Sequence, residues 1–242
     1  MQQRILKVYG LNESSITGLF NSLKGKTGDV ILRADPCFPE SRITLSLHGE
    51  DDSAVTKELE RVEKKLKKLI GPSVFASGNQ TMEEVIGLAL MEERSTLSVA
   101  ESCTGGLVSH RLTNVPGSSG YFMGAVVVYS NQSKVNFLQV YPETLERYGA
   151  VSDHTVREMA VGIRLNFKTD LGLAVTGIAG PDGGSREKPV GTVHFGLAVE
   201  NNIFSGKYLF QGNRELVKLN ASTMALDWVR RFLNGDPFLP GI

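Results

Sequence analysis

Apolar positions along the chain follow two rhythms, one of period two and one close to 3.6. Ile5, Leu6, Val8 and Tyr9 form a short β-type run. Ile16, Leu19, Phe20 and Leu23 then recur at helical spacing behind Asn12 and Ser14, either of which can cap that helix. Residues 30–34 and 42–48 read as two strands joined through Pro36 and Pro39. Asp51 to Ser53 caps a helix reaching about residue 69, with Val55, Leu59, Val62, Leu66 and Ile70 on one stripe. The order βαββα predicts a small α+β domain over residues 1–76.

Gly71, Pro72 and Ser73 break the pattern, and a second domain is expected over residues 77–242. Thr81 and Glu84 form a capping box, and Val85, Ile86, Leu88, Ala89 and Leu90 continue that helix. Leu97, Val99 and Ala100 read as a buried strand that stops at Glu101, Ser102, Cys103 and Thr104. Two glycines follow, and then Leu107, Val108 and Leu112 sit at helical spacing. The β-branched run over residues 124–129 predicts an interior strand, and the polar stretch from Ser130 to Lys134 opens another helix. Ser152 and Asp153 cap a long helix through Met159, Ile163 and Phe167. Residues 171–175 form a further buried strand, ending in the glycine-rich turn over residues 176–184. A hairpin over residues 191–210 and an amphipathic helix over residues 214–232 complete the chain. The fold class predicted is α/β, a mixed sheet flanked by helices, preceded by the small α+β domain.

Composition narrows the function classes. Lys plus Arg and Asp plus Glu both total 26, which argues against a protein built to coat nucleic acid. The longest apolar stretch falls short of the roughly 20 residues a membrane helix needs, and the N-terminus has no signal-peptide apolar region. Cys37 and Cys103 are too few for a disulfide scaffold, so a cytoplasmic setting is expected. His48, His110, His154 and His194 show no metal-ligand spacing, and neither a metal nor a cofactor is expected. Gly25-Lys26-Thr27-Gly28 is no Walker A loop, because position 20, which would need glycine, is Phe20. A K-homology clamp would join two helices, whereas this stretch joins a helix to a strand and reads as a helix end and turn. Lys64, Lys65, Lys67 and Lys68 read as a solvated helix face.

Three buried strands end in polar turns, and ligands of α/β sheets sit beyond the C-terminal ends of strands. Ser102, Thr104, Tyr129, Ser130, Lys134 and Thr176 could therefore converge on one site. Backbone N–H groups from Thr104 through Gly105 to Gly106 would suit an oxyanion. Cys103 is a competing nucleophile, with no histidine in an obvious partner position.

Taken together, Ala100 to Gly106, Val128 to Asn131 with Lys134, Gly149 to Ser152, Val175 to Pro181 and Lys188 to Thr192 resemble the CinA C-terminal-domain family, over roughly residues 81–232. Residues 1–76 resemble the K-homology-like domain that precedes it in full-length CinA proteins. The resemblance does not extend to the molybdopterin-binding-like domain of those proteins, so the ADP-ribose hydrolysis linked to it is not expected of these residues. What the resemblance implies is deamidation of nicotinamide mononucleotide, a step of pyridine nucleotide salvage, by a homo-oligomer. It implies Ser102 as nucleophile and Lys134 as base, with Tyr129 orienting Lys134 or relaying a proton. Substrate contacts would come from Thr104, Gly105, Gly106, Ser130, Thr176, Gly177 and Arg214. Two departures from the family's pattern stand out: Asn213 replaces a usual aspartate, and Lys218 stands where arginine is common. A basic Lys134 must be neutral, its pKa brought from about 10.4 towards 7 at a cost of about 4 to 5 kcal/mol. Burial beside residues 126–128, or a nearby cation, would supply that. Two other readings are a non-catalytic pyridine-nucleotide-binding or regulatory module, and a first domain that binds nucleic acid.

Overall fold

The computed structural model describes residues 1–241. The chain divides into two compact units, Met1–Val85 and Ile86–Ile242. In the first, strand β1 (Gln2–Val8) is followed by helix α1 (Glu13–Leu23), strands β2 (Ile31–Cys37) and β3 (Glu40–Leu47), helix α2 (Asp52–Ile70) and strand β4 (Val74–Ser77). The sheet order is β2-β3-β1-β4. Asn12 caps α1 through its side-chain oxygen, and Asp51 caps α2. Leu6, Ile43, Leu45, Leu59, Val62 and Leu66 form the centre of its core. The strand β4 is an addition to the expected βαββα order; at four residues it is too short to show alternation. Pro36 lies within β2, opposite Ser41, which an edge strand tolerates because the missing N–H faces away from the ladder.

The helix α3 (Met82–Glu92) carries the boundary between the units, with Thr81 and Glu84 exchanging the capping-box bonds. The second unit then runs β5 (Leu97–Glu101), α4 (Leu107–Thr113), β6 (Phe122–Val127), α5 (Asn131–Leu138), α6 (Pro142–Tyr148), α7 (Asp153–Phe167), β7 (Leu171–Gly177), β8 (Thr192–Val199), β9 (Asn202–Leu209) and α8 (Arg214–Asn234). The sheet order is β6-β5-β7-β8-β9. The strands β5, β6 and β7 are parallel, while β8 and β9 are antiparallel additions. Mixed α/β architecture is thus the observed class. One helix, α7, packs closely on the sheet because Gly196 has no Cβ; a methyl there would lie 2.7 Å from the Val156 carbonyl oxygen.

Two expectations change. The run expected as an interior strand is β6, which lies at the sheet edge and leaves Val127 half exposed. Its β-branched residues report strand preference; which neighbours it pairs with is decided by topology. The last helix is not amphipathic: residues 221–231 of α8 are all buried, including Asp227, Arg230 and Arg231. These three pair with one another: the Asp227 carboxylate accepts from Arg230 Nε and Nη2 and from Arg231 Nε at 2.6–2.8 Å. Trp228 stacks on Phe238 and donates from its indole N–H to the Tyr208 hydroxyl, fixing the helix on the sheet. Asp227→Asn removes the carboxylate that two buried guanidinium groups share, leaving Arg230 with the more distant Asp236 at 3.7 Å. It should cost about 3 to 5 kcal/mol. Thermal unfolding checks this as a melting temperature lower by on the order of 10 °C.

Candidate active site

The C-terminal ends of the three parallel strands meet at a cleft of about 140 Å³, lined by Ser102, Lys134, Tyr129, Thr176, Gly177 and Arg214 together with Cys103, Ala150, Val151 and Ala179. A wider groove of about 620 Å³ adjoins it through the shared Arg214 and is bordered by Leu107, Asn213, Glu215, Lys218 and Leu219.

Ser102 follows β5 directly, and its N–H donates to the Val175 carbonyl at 3.0 Å. The turn then passes through Gly105 and Gly106, both at positive φ, +63° and +94°. A side chain at either position would be strained, which is why the pair is glycine. Lys134 sits one turn into α5, whose cap is Ser130 in a reciprocal box with Ser133. Its side chain turns inward and is 1% exposed. The Lys134 Nζ lies 3.2 Å from Ser102 Oγ and donates to the Val128 carbonyl at 2.8 Å. No carboxylate pairs with it among the described residues. Burial therefore brings its pKa down to about 8, opposed by the neighbouring Cys103 sulfur. About one molecule in ten then carries the neutral amine at neutral pH. A hydroxyl beside such an amine can lose its proton to it as it attacks an electrophile.

Cys103 has the opposite character. Burial drives its thiol up to about 12, and the Glu101 carboxylate adds to the rise. Roughly one molecule in a hundred thousand would hold the thiolate at neutral pH. No histidine lines the cleft among the described residues.

Not every expected residue reaches the cleft. Ser130 is committed to capping α5. The Gly105 N–H returns to the Ser102 carbonyl, and the Gly106 N–H donates to the Glu101 carboxylate. These two glycines shape the turn and do not line the cleft. The Thr104 side chain is fully buried outside the cleft lining. Within the turn, the Cys103 and Thr104 N–H groups donate to no oxygen among the described residues, and both lie against the Cys103 sulfur. Thr176 lines the cleft, but its hydroxyl donates to the Ala150 carbonyl at 2.8 Å. The exposed Tyr129 hydroxyl makes no bond to Lys134; it accepts from Arg214 Nη2 at 2.7 Å. The other Arg214 nitrogen, Nη1, donates to the Gly180 carbonyl at 2.7 Å, so this side chain bridges two loops of the cleft. Asn213 caps α8 by accepting from the Leu216 N–H. Asparagine and aspartate cap equally well, so the departure from the family's aspartate leaves Arg214 equally well placed. Glu101 is a member that reading the sequence passed over: it is fully buried, and its role depends on helix α4 lacking a capping side chain.

This fold and cleft are those of an α/β protein with its site beyond the parallel strand ends. Residues 79–233 match the CinA C-terminal domain, and the chain belongs to the CinA family. It is 40% identical over 233 residues to a CinA-like protein of Geotalea uraniireducens, covering 96% of this chain and 56% of that protein. It is 38% identical over 236 residues to a putative competence-damage inducible protein of Caldanaerobacter subterraneus, covering 97% and 57%. The chain thus spans little more than half the length of these relatives. Among solved structures, a CinA superfamily protein of Klebsiella pneumoniae is similar with a TM-score of 0.62 at 33% identity, covering 64% of this chain and 99% of that one. CihA, a competence/damage inducible protein of Agrobacterium tumefaciens, is similar with a TM-score of 0.60 at 36% identity, covering 66% and 99%. No helix among the described residues is long and apolar enough to cross a membrane.

Proposed function

We propose that this chain hydrolyses the amide of nicotinamide mononucleotide, giving nicotinic acid mononucleotide and ammonia. The observation that carries this reading is the buried Lys134 amine, 3.2 Å from the Ser102 oxygen with its pKa depressed to about 8. A lysine held this way serves as a base that an exposed one would not. Ser102 Oγ attacks the carboxamide carbon while Lys134 takes the hydroxyl proton. The Cys103 N–H stabilises the oxyanion. The tetrahedral adduct collapses as Lys134 returns the proton to the leaving nitrogen, which departs as ammonia. Water then attacks the ester on Ser102, again giving its proton to Lys134, which passes it to Ser102 Oγ as the ester bond breaks and the acid leaves. The small cleft suits a ring amide, and the adjoining groove suits the rest of a nucleotide, with Arg214 and Lys218 along its border. An incoming phosphate would take over the Arg214 donor that Tyr129 now holds.

The alternative is a module that binds pyridine nucleotides without reacting with them. Incubation of the purified chain with nicotinamide mononucleotide, free nicotinamide, glutamine and asparagine separates the two. Ammonia and nicotinic acid mononucleotide should appear in equal amounts from the nucleotide. Binding of that nucleotide with no ammonia released would favour the module.

A further inference from the structure

Glu101 is the last residue of β5 and is fully buried. Its carboxylate collects bonds from the start of α4: from the N–H groups of Gly106 at 2.9 Å, Val108 at 3.1 Å and Ser109 at 2.8 Å, and from the Ser109 hydroxyl. The N-cap of that helix is Gly106, which has no side chain to offer. A strand residue five positions upstream therefore does the capping, and its negative charge is matched by the helix N-terminus. The Glu101 main chain is used as well. Its carbonyl accepts from the Val128 N–H at 2.8 Å, and the Val128 carbonyl is the one that holds Lys134 Nζ.

These bonds decide which donors the turn has left. The Gly106 N–H is taken by Glu101 and the Gly105 N–H by Ser102. We propose that Glu101 is a positioning residue: its carboxylate pins the loop from Ser102 to Gly106 so that the N–H of Cys103, which lines the cleft beside Ser102, is held ready for the substrate's oxyanion. This rests on the amidase reading above. Glutamine in its place has a similar size but only one accepting oxygen. Its NH₂ would face an N–H group of α4, and the turn would have to rotate to relieve that. Oxyanion donors act only when aimed at the tetrahedral state, so a small rotation lowers turnover more than substrate affinity.

The test uses the full chain with Glu101→Gln, Glu101→Asp and Ser109→Ala. Each variant is assayed for ammonia release, thermal melting and inhibition by 3-pyridylboronic acid, which forms a tetrahedral B–O adduct on a serine. For Glu101→Gln, kcat should fall by about a hundredfold with KM within about twofold, as for loss of an oxyanion donor. Boronate affinity should weaken by a similar factor, while the pH at which activity rises stays in place because Lys134 is untouched. Ser109→Ala, which removes one bond and no charge, should keep turnover within about threefold. If Glu101→Gln melts below the assay temperature, Glu101→Asp is read by the same three measures, since it keeps the charge but draws it away from α4. Normal kcat and boronate affinity in the folded variant would overturn the assignment of Glu101 alone. So would a loss of kcat with boronate affinity unchanged. A wild-type chain that releases no ammonia would overturn the amidase reading, and this role with it.

Discussion

Lys134→Arg should release ammonia from nicotinamide mononucleotide at least about a thousandfold more slowly than the wild type, and no faster than Lys134→Ala. Arginine keeps the positive charge but does not deprotonate in proteins, so it supplies no base. The wild-type pH profile gives a second reading of the same group. Burial lowers the Lys134 pKa to about 8, and the neutral amine, the form that accepts the serine proton, predominates above that value. The kcat/KM should therefore rise with pH through about 8 and then level off. Thermal melts of both variants confirm that the fold survives. An arginine variant with near-normal turnover would leave Lys134 as an electrostatic contact and remove it as the base.

Ser102→Ala should lower turnover by several orders of magnitude, because loss of a nucleophile removes the covalent route altogether. Affinity for the nucleotide should change little, since the groups bordering the groove are untouched. Cys103→Ala should stay active. The Cys103 thiol is buried and held protonated with its pKa at about 12, and no histidine lines the cleft among the described residues. Steady-state ammonia release and nucleotide titration on the two variants check both statements. An active Ser102→Ala beside an inactive, folded Cys103→Ala would exchange the roles of the two residues.

Much of this arrangement was legible in the sequence because it is local. The strand, turn and helix around Ser102 follow from Leu97, Val99 and Ala100, two glycines and the spacing of Leu107, Val108 and Leu112. The capping side chains of Asn12, Asp51, Thr81 and Ser152 mark the helix starts observed. What depends on partners distant in sequence was not legible. Lys134 could be placed among residues converging beyond the strand ends, but its burial shows only once β5 and β6 are set beside it. Asp227, Arg230 and Arg231 lie in a helix expected to be amphipathic, yet they are buried and pair with one another inside the protein. The helix α6 was missed because it opens on Pro142, a residue that breaks helices inside but suits the first position. Tyr129 lies at the cleft, but its hydroxyl is turned to Arg214, 85 residues away in sequence. Glu101 looked like the end of a strand, and its role appears only once α4 is seen to start at a glycine.

Rapid acid quenching of a single turnover, followed by peptide mapping by mass spectrometry, tests the serine–lysine mechanism most directly. Wild-type protein mixed with nicotinamide mononucleotide should carry the nicotinoyl nucleotide as an ester on Ser102, with ammonia already released in equal amount. The same acyl group found on Cys103, with Ser102 unmodified, would contradict it.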